Sequence, residues 1–419
     1  MPKIEKIIAR EILDSRGNPT VSATVFLDDD KYYFASVPSG SSVSSFEAFE
    51  LRDGDSSRYR GLGVLRAVDN VNTKINSLLK GQTVDDPISI DKQMIELDAT
   101  ENKINLGANA ILPVSMAINR AAAGSSQMPL YRFINKYYNF STKPSLPTPI
   151  VNVINGGKHA DSNLDIQEFW IVPEKFNSFK EKLRCASEVF HELGNVLSIN
   201  GYDTDLGNEG GYAPDFKNTE DVWKMIMFSI HHQNYSDKVY LGIDAGASTF
   251  YNKHSKKYIL KLDKKELNPI ELINYYINWI KKYPFKYIED PLDEEDWNNW
   301  IELKKAFDFV NGDINIIGDD LFATNVERLQ KGINLNCANS VLIKPNQIGT
   351  IMETMNCIKL AQKNNFSVVV SHRSGETTDD FIADLAVGSS SEYIKTGSIS
   401  RGERICKYNR LLQISDEII

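Results

Sequence analysis

The stretch Ser340-Val341-Leu342-Ile343-Lys344-Pro345-Asn346-Gln347 joins a short run of branched, apolar residues to a lysine. A run of this length and composition predicts a buried β-strand. The side chain that follows such a strand can face a cavity, because the strand itself is covered on both sides. The stretch therefore predicts that Lys344 stands at the carboxyl end of a buried strand.

Five more apolar runs end in the same way, at ionisable residues. These residues are Asp244, Glu289, Asp319, His372 and Lys395. Neighbouring ends along the chain are separated by enough residues for one strand, one helix and two short loops. Strands that alternate with helices predict βα units, and a TIM-like barrel built from them keeps its chemistry at the carboxyl ends of its strands.

The length of 419 residues favours two domains. Near the N-terminus, strand-like segments precede helical ones, a pattern that predicts an α+β domain. Residues 141–149 contain three prolines and read as a stiff connector. We therefore predict an N-terminal α+β domain over residues 1–141 and a C-terminal α/β barrel over residues 142–419. Within the first domain, Pro113 predicts a kink or a later start in the helix expected over residues 108–123.

Composition excludes several classes of function. The net charge is −9 and lysines and arginines form no block, so nucleic acid is not expected as a partner. Four scattered cysteines without a C-x-x-C motif exclude a disulfide framework and a cysteine zinc site. Neither a signal peptide nor a membrane-spanning segment is visible, so we expect a soluble, cytoplasmic protein without a membrane partner.

Three of the strand ends predict a metal site. Asp244, Glu289 and Asp319 offer carboxylate oxygens, the ligands that Mg²⁺ prefers. Alternatively, acids at strand ends are simply solvated. Lys344 would be desolvated and close to cationic charge, so we predict a lowered pKa and a role as a base. Alternatively, Lys344 forms a salt bridge with one of the acids.

A lysine base beside a divalent metal suits removal of a proton from the carbon next to a carboxylate. Two metals and Lys395 could stabilise the dianionic enolate. Glu209 and Glu168 could share a proton, one raising the pKa of the other, and protonate a departing hydroxyl. Arg373 and Ser374 suit a phosphate. A structural role for His159 is as probable as a functional one, because its loop is glycine-rich.

Long motifs in one order along the chain carry a resemblance to a known family. They are residues 9–20 (AREILDSRGNPT), 48–55 (AFELRDGD), 107–112 (GANAIL), 155–160 (NGGKHA), 165–169 (DIQEF), 288–291 (IEDP), 344–350 (KPNQIGT), 371–377 (SHRSGET) and 394–397 (IKTG). With these motifs the whole chain resembles the enolase family.

The resemblance implies an α+β N-terminal domain and a barrel that begins ββαα. It also implies reversible dehydration of 2-phosphoglycerate to phosphoenolpyruvate in glycolysis and gluconeogenesis, with two Mg²⁺, by a cytoplasmic homodimer or larger homo-oligomer. The resemblance implies that Lys344 is the base, that Glu209 is the acid, supported by Glu168, and that Lys395 stabilises the enolate. It implies that the substrate is contacted by His159, Gln167, His372, Arg373 and Ser374. The first metal is expected on Asp244, Glu289 and Asp319, and the second on Ser42.

Several positions depart from the family pattern. Val43 lacks a hydroxyl that the family has, Ser44 replaces a glycine, and Asn208 replaces an aspartate. Two alternatives therefore stand beside a 2-phosphoglycerate dehydratase. One is a paralogue acting on a phosphonate or another phospho-carboxylate, and the other is a non-catalytic binding protein.

Overall fold

The computed structural model describes residues 2–40, 44 and 46–418, and within them three strands precede five α-helices in the N-terminal part. The elements are β1 (Ile4–Leu13), β2 (Pro19–Leu27), β3 (Tyr32–Ser36), α1 (Leu65–Asn70), α2 (Asn76–Leu79), α3 (Pro87–Asp98), α4 (Ala108–Ser125) and α5 (Leu130–Tyr137), with a π-helical turn at Val71–Ile75 between α1 and α2. The strands form one antiparallel sheet in the order β1-β2-β3. This arrangement confirms the predicted α+β class.

Helix α4 begins at Ala108 and is continuous through Pro113, so the predicted later start is wrong, and the kink stays a prediction. Proline in a helix interior costs about 3 kcal/mol. However, every residue of α4 from Ala108 to Asn119 is buried, and the helix packs against β2 and β3. Each fully buried Ile, Leu, Val or Met side chain contributes about 1.5–3 kcal/mol, so burial outweighs the proline.

The C-terminal part alternates strands and helices. Its strands are β4 (Thr148–Asn155), β5 (Glu168–Val172), β6 (Tyr240–Asp244), β7 (Tyr251–Asn252), β8 (Lys257–Leu260), β9 (Lys265–Leu267), β10 (Phe285–Glu289), β11 (Asn315–Gly318), β12 (Ser340–Ile343), β13 (Ser367–Ser371) and β14 (Tyr393–Lys395). Its helices are α6 (Phe179–Ile199), α7 (Thr219–His232), α8 (Pro269–Lys282), α9 (Trp297–Val310), α10 (Val326–Leu335), α11 (Pro345–Ile348), α12 (Ile351–Lys363), α13 (Phe381–Gly388) and α14 (Gly402–Glu417).

In the described part of this region, eight strands close into a barrel in the order β10-β11-β12-β13-β14-β4-β5-β6. Strand β5 runs antiparallel to both of its neighbours, and the other pairs are parallel. Because α6 and α7 follow β4 and β5 directly, the barrel begins ββαα and then continues in βα units. The predicted fold class, an enolase-type α/β barrel after an α+β part, is confirmed. The domain boundary between residues 141 and 142 stays a prediction.

The widest gap between strand ends, from Asp244 to Glu289, holds an additional small sheet that the sequence analysis did not predict. Strands β7, β8 and β9 form this antiparallel sheet before α8 begins. The strands have two to four residues each, too short for a clear alternation of polar and apolar residues.

Large side chains fill the barrel interior below its mouth. The buried cluster consists of Ile150, Trp170, Val172, Tyr287, Ile317, Leu342 and Val369. Because this layer is closed, a ligand can approach the ionisable strand ends only from the mouth. No helix in the described ranges is both long and apolar enough to cross a membrane.

Candidate active site at the barrel mouth

The predicted strand-end residues meet at one end of the barrel. Asp244, Glu289 and Lys395 are the last residues of β6, β10 and β14, and Asp319 and Lys344 directly follow β11 and β12. All of these strands run in the same direction, which brings their carboxyl ends together.

Glu168 reaches the same end by a different route. It is the first residue of β5, which runs in the opposite direction, and it pairs in register with Asp244. Asp244 pairs in turn with Glu289. The reversal of β5 therefore places Glu168 beside two carboxylates that end their strands.

The ammonium of Lys395 lies among these three carboxylates. Its Nζ is 2.8 and 2.9 Å from the two oxygens of Glu289, 3.3 Å from Glu168 Oε1 and 3.5 Å from Asp244 Oδ2. Burial alone would lower the pKa of Lys395, but the carboxylates outweigh it and raise the pKa well above its usual value. Lys395 is therefore a fixed positive charge.

Lys344 forms a salt bridge with Asp319, the alternative considered above. Burial lowers the pKa of Lys344, and Arg373 and Lys395 act in the same direction. The carboxylate of Asp319 outweighs them, so the pKa is raised. The predicted lowering of the Lys344 pKa is therefore wrong for the ion-paired lysine, because an adjacent carboxylate stabilises the ammonium.

The predicted metal ligands are buried acids that repel one another. Burial, and the nearby charge of Glu168, raise the pKa of Asp244 to about 6. Burial and the charge of Asp244 raise the pKa of Glu289 well above its usual value. A divalent cation would relieve this repulsion, and carboxylates are its preferred ligands, so the chemistry of these residues suits Mg²⁺. Of the three predicted ligands, only Asp319 belongs to a group of described residues whose ligand atoms lie within 4.8 Å of one another.

A second acidic group lies next to the predicted ligands. One carboxylate oxygen each from Asp290, Asp319 and Asp320 lies within 4.8 Å of the others, close enough to hold a metal ion. Only Asp319 was predicted. Asp290 and Asp320 each follow a predicted acid directly in the sequence, a signal that could have identified them. The predicted ligand Ser42 lies outside the described residues.

Glu209, Glu168 and His159 form a third group. His159 Nδ1 lies 3.2 Å from Glu168 Oε1 and 3.6 Å from Glu209 Oε1. Trp170 Nε1 donates to Glu168 Oε2 at 2.7 Å, and Asn152 Nδ2 donates to Glu209 Oε2 at 3.2 Å. The oxygens and the imidazole of this group also satisfy the spacing for a metal ion.

The predicted rise in pKa within the pair of glutamates is wrong. Burial raises the pKa of Glu209, but His159 and His372 outweigh it, and the pKa lies well below its usual value. For Glu168, burial and the charge of Glu209 raise the pKa, whereas Lys395 and His159 lower it, and the net shift is downward. His159 shows the opposite balance, because the two glutamates more than offset its burial and raise its pKa. His159 therefore holds a proton more tightly than either glutamate.

Arg373 forms an ion pair with Glu47, an acid that the sequence analysis did not predict. Its Nη1 lies 2.9 Å from Glu47 Oε2, and its Nη2 donates to Glu47 Oε1 at 3.2 Å. Glu47 belongs to the N-terminal part and follows no predicted strand, so no pattern in the sequence pointed to it. Gln347, also missed, donates from Nε2 to Asp319 Oδ1 at 2.9 Å.

The other predicted substrate contacts also lie at the mouth. Gln167 and Ser374 are buried. The Ser374 hydroxyl oxygen has no hydrogen-bond partner among the described residues, which is unusual for a buried polar atom and suits a ligand. His372 Nε2 lies 3.5 Å from Glu209 Oε2.

Comparison with protein families agrees with this arrangement. The family model described as the enolase N-terminal domain matches residues 4–134. The model described as the enolase C-terminal TIM barrel domain matches residues 143–419. Together the two matches span nearly all of the sequence, and the closed eight-stranded barrel agrees with the description of the second model. The chain therefore belongs to the enolase family.

Proposed function

We propose that this protein catalyses the reversible dehydration of 2-phosphoglycerate to phosphoenolpyruvate, using two Mg²⁺. One observation carries the proposal: Lys344, Lys395 and the Glu209–His159 pair all lie at one barrel mouth. They lie beside the buried carboxylates of Asp244 and Glu289, which repel each other. The mouth thus holds an amine to accept a proton, a fixed cation and a carboxylate to assist a leaving group.

Asp244, Glu289 and Asp319 would hold the first Mg²⁺, which would supply positive charge next to the substrate carboxylate. The second Mg²⁺ is expected from the family resemblance through Ser42. If Asp319 held the metal, Lys344 would lose part of the attraction that raises its pKa. Lys344 Nζ can then be neutral and accept the proton from carbon 2 of the substrate.

Departure of the hydroxyl requires a proton. Glu209 is ionised because its pKa is lowered, and His159, whose pKa is raised, has its Nδ1 3.6 Å from Glu209 Oε1. We assign delivery of the proton to Glu209, which receives it from His159, with Glu168 orienting the imidazole. Arg373, Ser374, Gln167 and His372 would bind the phosphate and the rest of the substrate, while Lys395 would stabilise negative charge on the substrate carboxylate.

The direct test is to follow the ultraviolet absorbance of phosphoenolpyruvate as the purified protein acts on 2-phosphoglycerate with Mg²⁺. We expect a kcat within the ordinary range of enzymes, about 1–10³ s⁻¹. Lys305→Met, which changes an exposed lysine on α9, serves as the control and should retain this rate. The absence of product at high enzyme concentration would contradict the proposal.

A second candidate function is dehydration or proton abstraction on a phosphonate or another phospho-carboxylate. It is favoured by Ser44, whose hydroxyl donates to Glu294 Oε2 at 2.7 Å where the family has a glycine without a side chain. Parallel assays with 2-phosphoglycerate and with these other substrates discriminate the two candidate functions, since the better substrate has the higher kcat/KM. If the protein is instead a non-catalytic binding protein, Lys344→Met should leave its function unchanged.

Assembly as a homodimer or larger homo-oligomer, and a cytoplasmic location, belong to the same proposal because the family resemblance implies them. Sedimentation equilibrium of the purified chain tests the assembly. A mass equal to one chain of 47.3 kDa at all concentrations would contradict it.

A further inference from the structure

A buried arginine that the proposed reaction does not use lies directly behind the candidate active site. Arg404 is on helix α14 and has no exposed surface. Its Nη1 lies 2.6 Å from His372 Nδ1 and donates to the carbonyl oxygen of Arg373 at 2.6 Å. Its Nη2 donates to the carbonyl oxygens of Ser374 at 2.6 Å and Asn208 at 3.1 Å.

The contact with His372 determines which ring nitrogen carries the proton. A guanidinium has five N–H donors, accepts no hydrogen bond and stays protonated in proteins. At 2.6 Å, His372 Nδ1 must therefore be the acceptor. A neutral imidazole has one N–H, which is then on Nε2, and a protonated imidazole would direct a second N–H against the arginine.

The nitrogen that keeps its hydrogen faces the proposed acid. His372 Nε2 lies 3.5 Å from Glu209 Oε2. The charged groups that act on the ring are Glu209, Glu168 and Arg404. Burial and Arg404 lower the pKa of His372 more than the two glutamates raise it, so the ring is neutral.

We infer that Arg404 is a positioning residue, which holds His372 as the neutral Nε2–H tautomer so that the ring nitrogen nearer to Glu209 carries the hydrogen. The inference rests on the proposed function for its catalytic consequence, although the tautomer itself does not. The Nε2–H dipole of a neutral His372 then stabilises ionised Glu209, and His372 is not the source of the proton for the leaving hydroxyl. The source on this side of the mouth is His159.

The same guanidinium connects the two loops that carry the proposed acid and the phosphate contacts. Asn208 directly precedes Glu209, whereas Arg373 and Ser374 directly follow His372. Arg404 binds the carbonyl groups of both segments, so a change in its position would move both.

Glu209, Arg404 and His372 pack tightly around Gly397. A Cβ atom on Gly397 would lie 2.8 Å from the carbonyl oxygen of Glu209, 2.9 Å from Arg404 Cδ and 3.1 Å from His372 Cε1. Only glycine fits between the three residues, and its φ of +83° also favours glycine. The group is therefore held by shape as well as by hydrogen bonds.

The test measures the imidazole ¹⁵N chemical shifts of the full-length, ligand-free protein labelled at histidine, with the His372→Asn spectrum identifying the His372 signals. We expect the neutral Nε2–H tautomer at neutral and weakly basic pH. In Arg404→Met, which removes every donor, we expect the opposite tautomer or a titrating ring. Arg404→Lys, which keeps one donor, should restore the Nε2–H form. Arg184→Lys, at an exposed arginine on α6, is the matched control.

An Nδ1–H or doubly protonated His372 in the unmodified protein would overturn the inference, and this measurement needs no variant to fold. An unchanged tautomer in folded Arg404→Met would also overturn it. In the 2-phosphoglycerate assay, folded Arg404→Met should lower kcat by about 10- to 100-fold and change KM little, because Arg404 acts through His372 and Glu209, and Arg404→Lys should recover most of this loss. If the unmodified protein forms no phosphoenolpyruvate, the proposed function fails, while the tautomer measurement still decides the role of Arg404.

Discussion

The carboxylate of Glu47 pairs end-on with the guanidinium of Arg373, with Oε2 2.9 Å from Nη1 and Oε1 3.2 Å from Nη2. Both side chains are at most 5% exposed, and the pair joins the N-terminal part of the chain to the barrel mouth. Removing one partner of a buried ion pair leaves the other charge less well compensated, which costs up to about 3–5 kcal/mol.

We therefore expect Glu47→Ala to lower the free energy of unfolding by several kcal/mol in urea denaturation. Glu181→Ala, which breaks an exposed pair with Arg184, should change it by less than about 1 kcal/mol. Inorganic phosphate should stabilise Glu47→Ala more than the unmodified protein, because an anion can replace the lost carboxylate. Equal effects of the two substitutions would contradict a stabilising role for the Glu47–Arg373 pair.

Replacing Lys344 tests the proposed base. Lys344→Met should abolish exchange of the hydrogen on carbon 2 of 2-phosphoglycerate in deuterated solvent, because no other amine occupies this position. A general base contributes about 10²–10⁴-fold to a rate, so the loss should be at least that large by NMR. Exchange at an unchanged rate would exclude Lys344 as the base.

Replacing Glu209 should separate the two halves of the reaction. Glu209→Gln keeps the shape of the side chain but cannot carry the proton to the leaving hydroxyl. We expect exchange at carbon 2 to persist while formation of phosphoenolpyruvate falls by about 10²–10⁴-fold. A parallel loss of both activities would place Glu209 in the first step instead.

Magnesium should stabilise the folded protein through the buried carboxylates. A ligand that binds only the folded state at 100 times its Kd adds about 2.7 kcal/mol, which calorimetry detects as a rise in Tm. Asp244→Asn should reduce this rise, whereas Glu302→Gln, at an exposed acid on α9, should not. The same rise in both variants would argue against Asp244 as a ligand.

Asp91 on α3 should make stability depend on pH. Burial raises its pKa from 3.8 to about 7, while hydrogen bonds from Ser115 and the Met352 backbone lower it only in part. A carboxyl whose pKa is higher in the folded state contributes stability that is complete below its unfolded pKa. This contribution is lost as the pH rises through its folded pKa.

For Asp91 the loss falls between about pH 4 and about pH 7, and a shift of about 3 units corresponds to roughly 4 kcal/mol. Asp91→Asn should therefore remove a decline in the free energy of unfolding that the unmodified protein shows across this window. Urea denaturation at several pH values measures both curves. Parallel curves would show that Asp91 does not titrate in this range.

The strand-end pattern predicted much of the barrel because each apolar run is followed by an ionisable residue. Such a residue cannot be buried without a partner, so it marks the point where the buried strand ends. Asp244, Glu289, Asp319, Lys344 and Lys395 all lie at the mouth as expected. Glu168 and Glu209 were found mainly through the family resemblance. Neither ends a strand of the barrel, so a rule based on strand ends does not find them.

The remaining errors come from interactions between segments far apart in sequence. Glu47 pairs with Arg373 across 326 residues, and Arg404 reaches His372 from the last helix. An arginine in an amphipathic helix ordinarily predicts a solvated side chain, so nothing local identified Arg404 as buried. The pKa errors at Lys344 and Glu209 have the same origin, because each shift is set by a neighbour from another strand or loop.

The reversed direction of β5 gives the protein an optical reporter of its own. Alternate residues of this strand face the barrel interior, so the indole of Trp170 lies just beneath Glu168 and donates to it at 2.7 Å, with Lys395 Nζ 5.0 Å from the ring centroid. Indole emission responds to nearby charge and hydrogen bonding. A chain in which the other four tryptophans are replaced by phenylalanine would therefore report events at the barrel mouth by fluorescence, without any attached dye.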